Sequence, residues 1–188
     1  WFFFTVTFLL TRLKEQLGRE ASLARIDGLT ELFNSRAFRE VAERSRQQAV
    51  RYQHPVALGY IDVDNFKAIN DQLGHAAGDR VLQAVAEALR GSVRATDVVS
   101  RLGGDEFAIF MPEVGADGAR SAFRKIHAAL SKVAEHNHWP IGFSVGVAIF
   151  EVAPDNIEVA LKTADNLMYR VKDATKNDII FEEIAKAA

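Results

Sequence analysis

The chain has 188 residues, with 23 Lys+Arg against 25 Asp+Glu, a formal charge of −2 and 48% apolar residues. These are the proportions of one folded domain with a sizeable core, and the near-neutral balance argues against a non-specific nucleic-acid binder. With zero cysteines, a disulfide scaffold, a thiolate zinc site and a cysteine nucleophile are excluded.

The chain begins at Trp1, and 8 of its first 10 residues are apolar. Ten helical residues cover about 15 Å, short of the roughly 30 Å of bilayer hydrocarbon. Arg12, Lys14 and Arg19 follow, the bias expected on the cytoplasmic side of a membrane helix. The segment reads as the end of a transmembrane helix of a longer parent protein. An amphipathic or oligomer-packing helix is the alternative, and Phe2-Phe3-Phe4 reads as a lipid or packing surface. Leu10, Leu13, Leu17 and Ala24 lie near 3- and 4-residue spacing, interrupted by Glu20, which predicts a short coiled-coil connector.

Ser35 is placed to cap a helix over about residues 36–51, with Phe38, Val41, Ala42 and Ala49 inward and Arg44, Arg46 and Arg51 on a solvated face. His54-Pro55 ends it. The apolar run 56–61 reads as a buried strand ending in Asp62-Val63-Asp64. A short helix near 65–71 precedes a longer one at about 76–90, whose face is Val81, Leu82, Val85 and Leu89. Strand-like runs 98–102 and 107–111 flank Gly103-Gly104, a tight hairpin. A helix at about 116–135 shows Ala122, Phe123, Ile126, Leu130 and Val133 on one face. Then Phe143, Val145, Val147 and Ile149 alternate with Gly142, Ser144, Gly146 and Ala148, a strand with close packing on its small-residue face. A helix at about 155–172 carries Ile157, Leu161, Ala164, Met168 and Val171, and a last strand spans about 178–182. This order predicts an α+β fold, a mixed central sheet flanked by helices, behind an N-terminal helical connector.

Asp62 and Asp64 stand at the end of one predicted strand, and Asp105 and Glu106 at the tip of the hairpin. If those strands are neighbours, three or four carboxylates converge on one sheet edge, where cations must neutralise them; Mg²⁺ suits such oxygens. Two such ions can clamp the attacking and leaving oxygens of a phosphoryl transfer, and backbone N–H groups in the turn from Val63 to Phe66 suit a polyphosphate. The plain alternative is a set of turn and cap residues.

Taken together the motifs are more specific. Arg101-Leu-Gly-Gly-Asp-Glu-Phe107 resembles the signature of the GGDEF family, the diguanylate cyclases. Residues 27–34, Asp-Gly-Leu-Thr-Glu-Leu-Phe-Asn, resemble the family's opening Asp-x-Leu-Thr-Gly-Leu-x-Asn. Residues 62–71, Asp-Val-Asp-Asn-Phe-Lys-Ala-Ile-Asn-Asp, with Gly74-His75 and Gly78-Asp79, match its metal and nucleotide segment. Residues 143–148 and 164–172 resemble its two later blocks. The resemblance runs over residues 27–183, leaving 1–26 as membrane end and connector and 184–188 as a tail. It implies a ferredoxin-like, nucleotide-cyclase palm type of sheet.

What the resemblance implies can be placed residue by residue. The family makes cyclic di-GMP from two GTP with Mg²⁺, or Mn²⁺ in its place, two ions per active site. Asp62 and Asp105 match its metal carboxylates, with the Val63 carbonyl as a further ligand and Glu106 as a helper. Asp105 or Glu106 would assist deprotonation of the attacking 3′-hydroxyl. Asn70 and Asp79 match the guanine readers, Lys172 and Lys176 the cations on the β/γ-phosphates, and Phe66 and Lys67 flank the phosphate turn. Gly103 and Gly104 let the backbone approach GTP without a Cβ in the way. One domain holds one GTP, so turnover needs a homodimer, and no nucleic-acid partner is implied. Arg94-Ala-Thr-Asp97 matches the family's inhibitory product site, where an arginine fork suits guanine edges and phosphates, and Arg124 or Lys125 could add a contact.

The chain also departs from the family pattern. Glu31 replaces a glycine, Phe33 stands where proline is common, Thr175 replaces a glycine and Lys176 stands where arginine is frequent. Should Glu31 or Thr175 need positive φ, strain of order 1 kcal/mol follows. His136 and His138 read as exposed loop, and His75 as structural or near the nucleotide. A Mg²⁺-dependent cyclase on the cytoplasmic side of the inner membrane, tethered through the segment before residue 12 with a sensor upstream, is the leading reading. A non-catalytic GGDEF domain sensing GTP or cyclic di-GMP is the alternative, and another nucleotide cyclase or polymerase-palm relative is a third.

Overall fold

The computed structural model describes Trp1, Phe3, Phe4, residues 6–8, Arg12 and residues 24–185. Phe3, Phe4, residues 6–8 and Arg12 are helical and exposed. The connector positions Leu10, Leu13, Leu17, Lys14, Arg19 and Glu20 lie outside the described residues, as do 186–188 of the expected tail. Among the described residues no helix is long and apolar enough to cross a membrane.

The elements are β1 (Phe33–Asn34), α1 (Ser35–Tyr52), β2 (Val56–Asp64), α2 (Phe66–Leu73), α3 (His75–Ser92), β3 (Val98–Gly103), β4 (Glu106–Pro112), α4 (Ala116–His136), β5 (Gly142–Phe150), α5 (Ile157–Ala174) and β6 (Ile179–Ile184). They form one sheet in the order β1-β3-β4-β2-β5-β6. The inner pairs β3/β4, β4/β2 and β2/β5 are antiparallel, and β1 and β6 add parallel at the two edges. The inner four strands have the ferredoxin-like order, and the mixed sheet between helices is as expected.

Strand alternation divides the core in two. Ala57, Ile61, Val63, Phe107, Ile109, Val145 and Val147 pack under α2, α3 and α4, against Ile69, Val81, Val85, Leu89, Phe123 and Leu130. Leu58, Ala108, Phe110, Ala148 and Phe150 pack under α1 and α5, against Phe38, Ala42, Ala160, Leu161 and Ala164. By the same alternation Tyr60, Asp62 and Asp64 fall on the α1/α5 side. The small residues of β5 do let a helix close in. A Cβ at Gly146 would run into the Ala164 carbonyl and the Met168 amide of α5.

Several details differ from expectation. The two-residue β1 carries no periodicity and exists through pairing, Phe33 with Ser100 and Asn34 with Arg101. Asn34, not Ser35, caps α1: its side-chain carbonyl accepts from the Ala37 amide at 2.9 Å. Arg46 is not solvated; it is 8% exposed. Its fork grips both Glu43 oxygens at 2.7 and 2.9 Å and donates to the Pro154 carbonyl at 2.7 Å. Glu43 also accepts from the Ile157 amide at 3.0 Å, so this pair fastens α1 to the start of α5. Val41 and Val133 are half-buried, and Ala134 takes the core position beside Val133.

Gly146→Ala is expected to lower stability by about 1–3 kcal/mol, because the obstruction is helix backbone and not a mobile side chain. Urea unfolding measures it, and a wild-type midpoint would show that α5 can retreat without cost.

Candidate active site

β2 pairs with β4 through Asp62 opposite Glu106, and with β5 through Asp62 opposite Ser144. The end of the central strand and the β3–β4 hairpin therefore share one edge, and Asp62, Asp64, Asp105 and Glu106 come to it together. The hairpin turns on Gly103 and Gly104, at φ +155° and +53°, a backbone that side chains rarely tolerate. The Val63 amide donates to the Asp105 carbonyl at 3.2 Å. In a strand the N–H and C=O of one residue point the same way, so the Val63 carbonyl also lies on the hairpin side.

The carboxylates divide their work. Asp64 is buried and accepts from the Ser144 hydroxyl at 2.9 Å and from the Asn177 amide at 2.9 Å, which makes it a fastener of the α5–β6 turn. Asp62 is 3% exposed. Its Oδ2 takes the Lys172 ammonium at 2.8 Å, while Oδ1 is buried with no hydrogen-bond partner. Burial pushes Asp62 up to about 6; the Lys172 hydrogen bond pulls it down, and the charges of Asp105 and Asp64 push it further up. Burial would lower Lys172, but Asp62, Asp105 and Asp64 hold it above the usual lysine value. Glu106 faces a polar cleft with Tyr60, Arg39, Lys162 and Asp165. Burial and then the Glu106 charge push the Tyr60 phenol up.

Among the described residues no three His, Cys, Asp or Glu side chains gather as a metal cage. The donors that remain are a buried carboxylate oxygen without a partner, the neighbouring Asp105 and a strand carbonyl. That set fits Mg²⁺, which takes one or two carboxylates together with water and substrate phosphates.

The other predicted residues lie around this edge. Asn65 enters α2 at φ 63°, leaving the first-turn amides of α2 without a side-chain cap, with Phe66 half-buried and Lys67 exposed. Asn70 reaches the bare Cα of Gly78, and Asp79 is exposed one residue on. Lys176 is exposed just past α5, and His75 opens α3 on the surface, as His136 and His138 do near α4. Glu31 does stand at positive φ, 58°, and carries the expected strain. Thr175 does not, at φ −121°; the left-handed positions are Lys176 and Asn177, at 52° and 45°. The reason is the helix end: the Thr175 and Lys176 amides both return to the Val171 carbonyl, which moves the reversal one residue on.

Arg94 and Asp97 sit at the far end of β3. Asp97 caps the turn by accepting from the Arg94 amide at 2.8 Å, so the two side chains are not a surface ion pair. Burial raises Asp97, against the Arg94 amide and charge. The exposed Arg94 guanidinium borders a cleft of about 390 Å³ walled by Leu32, Phe33, Val93 and Val99. Arg124 does not join it, because it lies over the Phe181 ring of β6, 5.9 Å from the centroid. Two residues were not anticipated at the site. Arg101 and Asp27 form an ion pair at 3.2 Å behind the hairpin, and their places at the start of the signature and of the opening motif were the available signal.

Residues 24–178 match the family described as diguanylate cyclase, GGDEF domain. The chain is 36% identical over 165 residues to the diguanylate cyclase TpbB of Pseudomonas aeruginosa (strain UCBPP-PA14), covering 86% of this chain and 38% of that protein. It is 32% identical over 169 residues to the probable diguanylate cyclase DgcC of Escherichia coli (strain K12), covering 89% and 46%. It thus spans less than half the length of these curated relatives. The coiled coil and GGDEF domain of Caulobacter crescentus DgcB, crystallised with c-di-GMP, superposes with a TM-score of 0.77 at 26% identity, covering 94% of this chain and 95% of that one. The GGDEF domain of PA1120 (YfiN or TpbB) of Pseudomonas aeruginosa gives 0.72 at 31% identity, covering 82% and 99%.

A raised folded-state carboxyl stabilises at low pH, and that contribution fades as pH rises through about 6. Asp62→Asn removes this dependence, so its melting temperature is expected to rise relative to wild type between pH 5 and pH 8. A lower melting temperature for the variant at pH 8 would show that the Lys172 pair outweighs the burial of the charge.

Proposed function

The chain belongs to the GGDEF family of diguanylate cyclases, and we propose that it condenses two GTP into cyclic di-GMP and two pyrophosphates. The observation that carries this reading is Asp62. It is a buried carboxylate with one oxygen on Lys172 and the other unpartnered, beside the hairpin carboxylates. Such a group is costly unless a ligand completes it.

Asp62, Asp105 and the Val63 carbonyl would hold Mg²⁺, with Glu106 beside them. Bound there, the ion would neutralise phosphate oxygens and polarise the α-phosphate. Lys172 has the role of a replaceable cation. It compensates Asp62 in the free protein and turns, with Lys176, to the β/γ-phosphates when GTP is present. The uncapped amides of α2 and the side chain of Lys67 face the same phosphates, behind Phe66. Asn70 and Asp79 read the guanine edge, and a carboxylate suits its amino and imino donors. Gly103 and Gly104 admit the nucleotide against the backbone.

In each half-reaction the 3′-oxygen of one GTP bonds to the α-phosphorus of the other and the bond to pyrophosphate breaks. The hydroxyl proton passes to Asp105 or Glu106. Each copy brings one nucleotide, so two copies must face each other. Arg94, with Asp97 shaping its turn, binds the product at the other end of β3 and slows the enzyme. The apolar start followed by Arg12 supports a tether to the inner membrane with this domain on the cytoplasmic side.

Incubation with GTP and Mg²⁺ followed by chromatography is expected to yield cyclic di-GMP. None at any protein concentration overturns the reading in favour of a nucleotide sensor, and cyclic GMP would make the protein another kind of cyclase. Asp105→Ala is expected to abolish turnover, and a retained rate would refute its metal role. Arg94→Ala should relieve product inhibition while leaving the initial rate intact; unchanged inhibition would reduce that site to a surface turn.

A further inference from the structure

We propose that Gly78 is a positioning residue for Asn70: the space left by its missing side chain sets how the Asn70 amide is presented to the base. The nucleotide preference of the site then depends on a residue that has no polar side chain to offer. The inference rests on the guanine-reading role proposed for Asn70 and Asp79.

Gly78 lies buried in the first turn of α3. It is not among the glycines at positive φ, so the backbone has no conformational need for glycine there. Inside a helix, glycine is weaker than alanine. The reason for it is space. A Cβ at Gly78 would stand 2.1 Å from Asn70 Oδ1 and 3.0 Å from Asn70 Cγ, with Phe66 Cζ 3.1 Å away. Gly91, in the same helix, meets nothing within 4 Å, so the requirement is local to Asn70.

The surroundings hold Asn70 to this slot. Buried Ile69 anchors α2 beside it, and the Gly74 amide, at the turn between the two helices, donates to the Asn70 carbonyl at 3.0 Å. The Ala77 amide returns to the Gly74 carbonyl at 3.0 Å, which seats the start of α3 against the same turn. Phe66 closes one side. With Oδ1 turned against α3, Nδ2 faces the other way and is the donor left for a base. Asp79, the exposed residue after Gly78, supplies the acceptor. A guanine edge offers amino and imino donors for Asp79 and ring or carbonyl acceptors for Asn70, a combination adenine lacks. A methyl group at position 78 expels the amide from its slot and turns the donor away. The helix itself survives, because the obstruction is the end of one side chain and not backbone.

The test is equilibrium binding of α,β-methylene GTP, which cannot lose pyrophosphate, with α,β-methylene ATP as the base control. Gly78→Ala and Asn70→Ala are each expected to weaken the guanine analogue about tenfold, the worth of one hydrogen bond, and to leave the adenine analogue within about twofold. The double variant is expected to lose about tenfold as well, not a hundredfold, since Gly78 acts through Asn70. Gly91→Ala, the control in the same helix, should bind as wild type. Unchanged binding in Gly78→Ala overturns the inference, and so does an additive loss in the double variant. An equal loss for both analogues, or a loss in Gly91→Ala, overturns it too, because the effect would then belong to the phosphates or to α3 as a whole. A wild-type protein without preference for the guanine analogue overturns the role of Asn70 and this inference with it. Failure to form cyclic di-GMP overturns the cyclase reading alone, since these are binding measurements.

Discussion

A carboxylate set inside a sheet has to be compensated by something, and at Asp62 the compensation decides much of the architecture. The residue lies at the end of β2, flanked by β4 and β5, so most of its surroundings are strand. Lys172 supplies one partner from the last turn of α5, and the other oxygen is left without one. For that lysine to arrive, α5 must lie flat on the small-residue face of β5. The α5–β6 turn must then be fastened, and Asp64 and Asn177 do this. Much of the α1/α5 side of the sheet is thus organised around holding one negative charge in place.

Most of the fold was legible because burial of β2 and β5 leaves unmistakable apolar runs and because the long helices keep their 3.6-residue faces. What escaped had no local pattern. β1 is two residues long and exists through its pairing with β3. Arg46 looked like a surface arginine because its partners, Glu43 and Pro154, include one that lies 108 residues away. Asn34 outcompeted Ser35 as the cap because its carbonyl could reach Ala37 and its amide Ala24 at once. In the site, the four acids were readable as a group, but their division of labour was not. Asp64 looked equivalent to Asp62, but Ser144 and Asn177 both donate to it.

The positive-φ positions show the same limit. Glu31 keeps the left-handed backbone that glycine usually fills, whereas the expected strain at Thr175 has moved to Lys176 and Asn177. A substitution pattern marks the neighbourhood of a reversal; the hydrogen bonds to Val171 decide which residue makes it. Lys176, the cation proposed for the phosphates, therefore stands at a left-handed backbone position.

Gly146 touches neither Asp62 nor Lys172, yet it acts as the calliper for both. Because the helix backbone rests directly on its Cα, the separation between α5 and the sheet is fixed at the smallest value two backbones allow. Lysine, with a four-carbon stem, then spans that gap with its side chain about a third exposed. The reach of the cation is thus gauged by a missing side chain two strand positions beyond Ser144. The tolerance of the site for a change at position 172 is set by a residue that makes no polar contact with it.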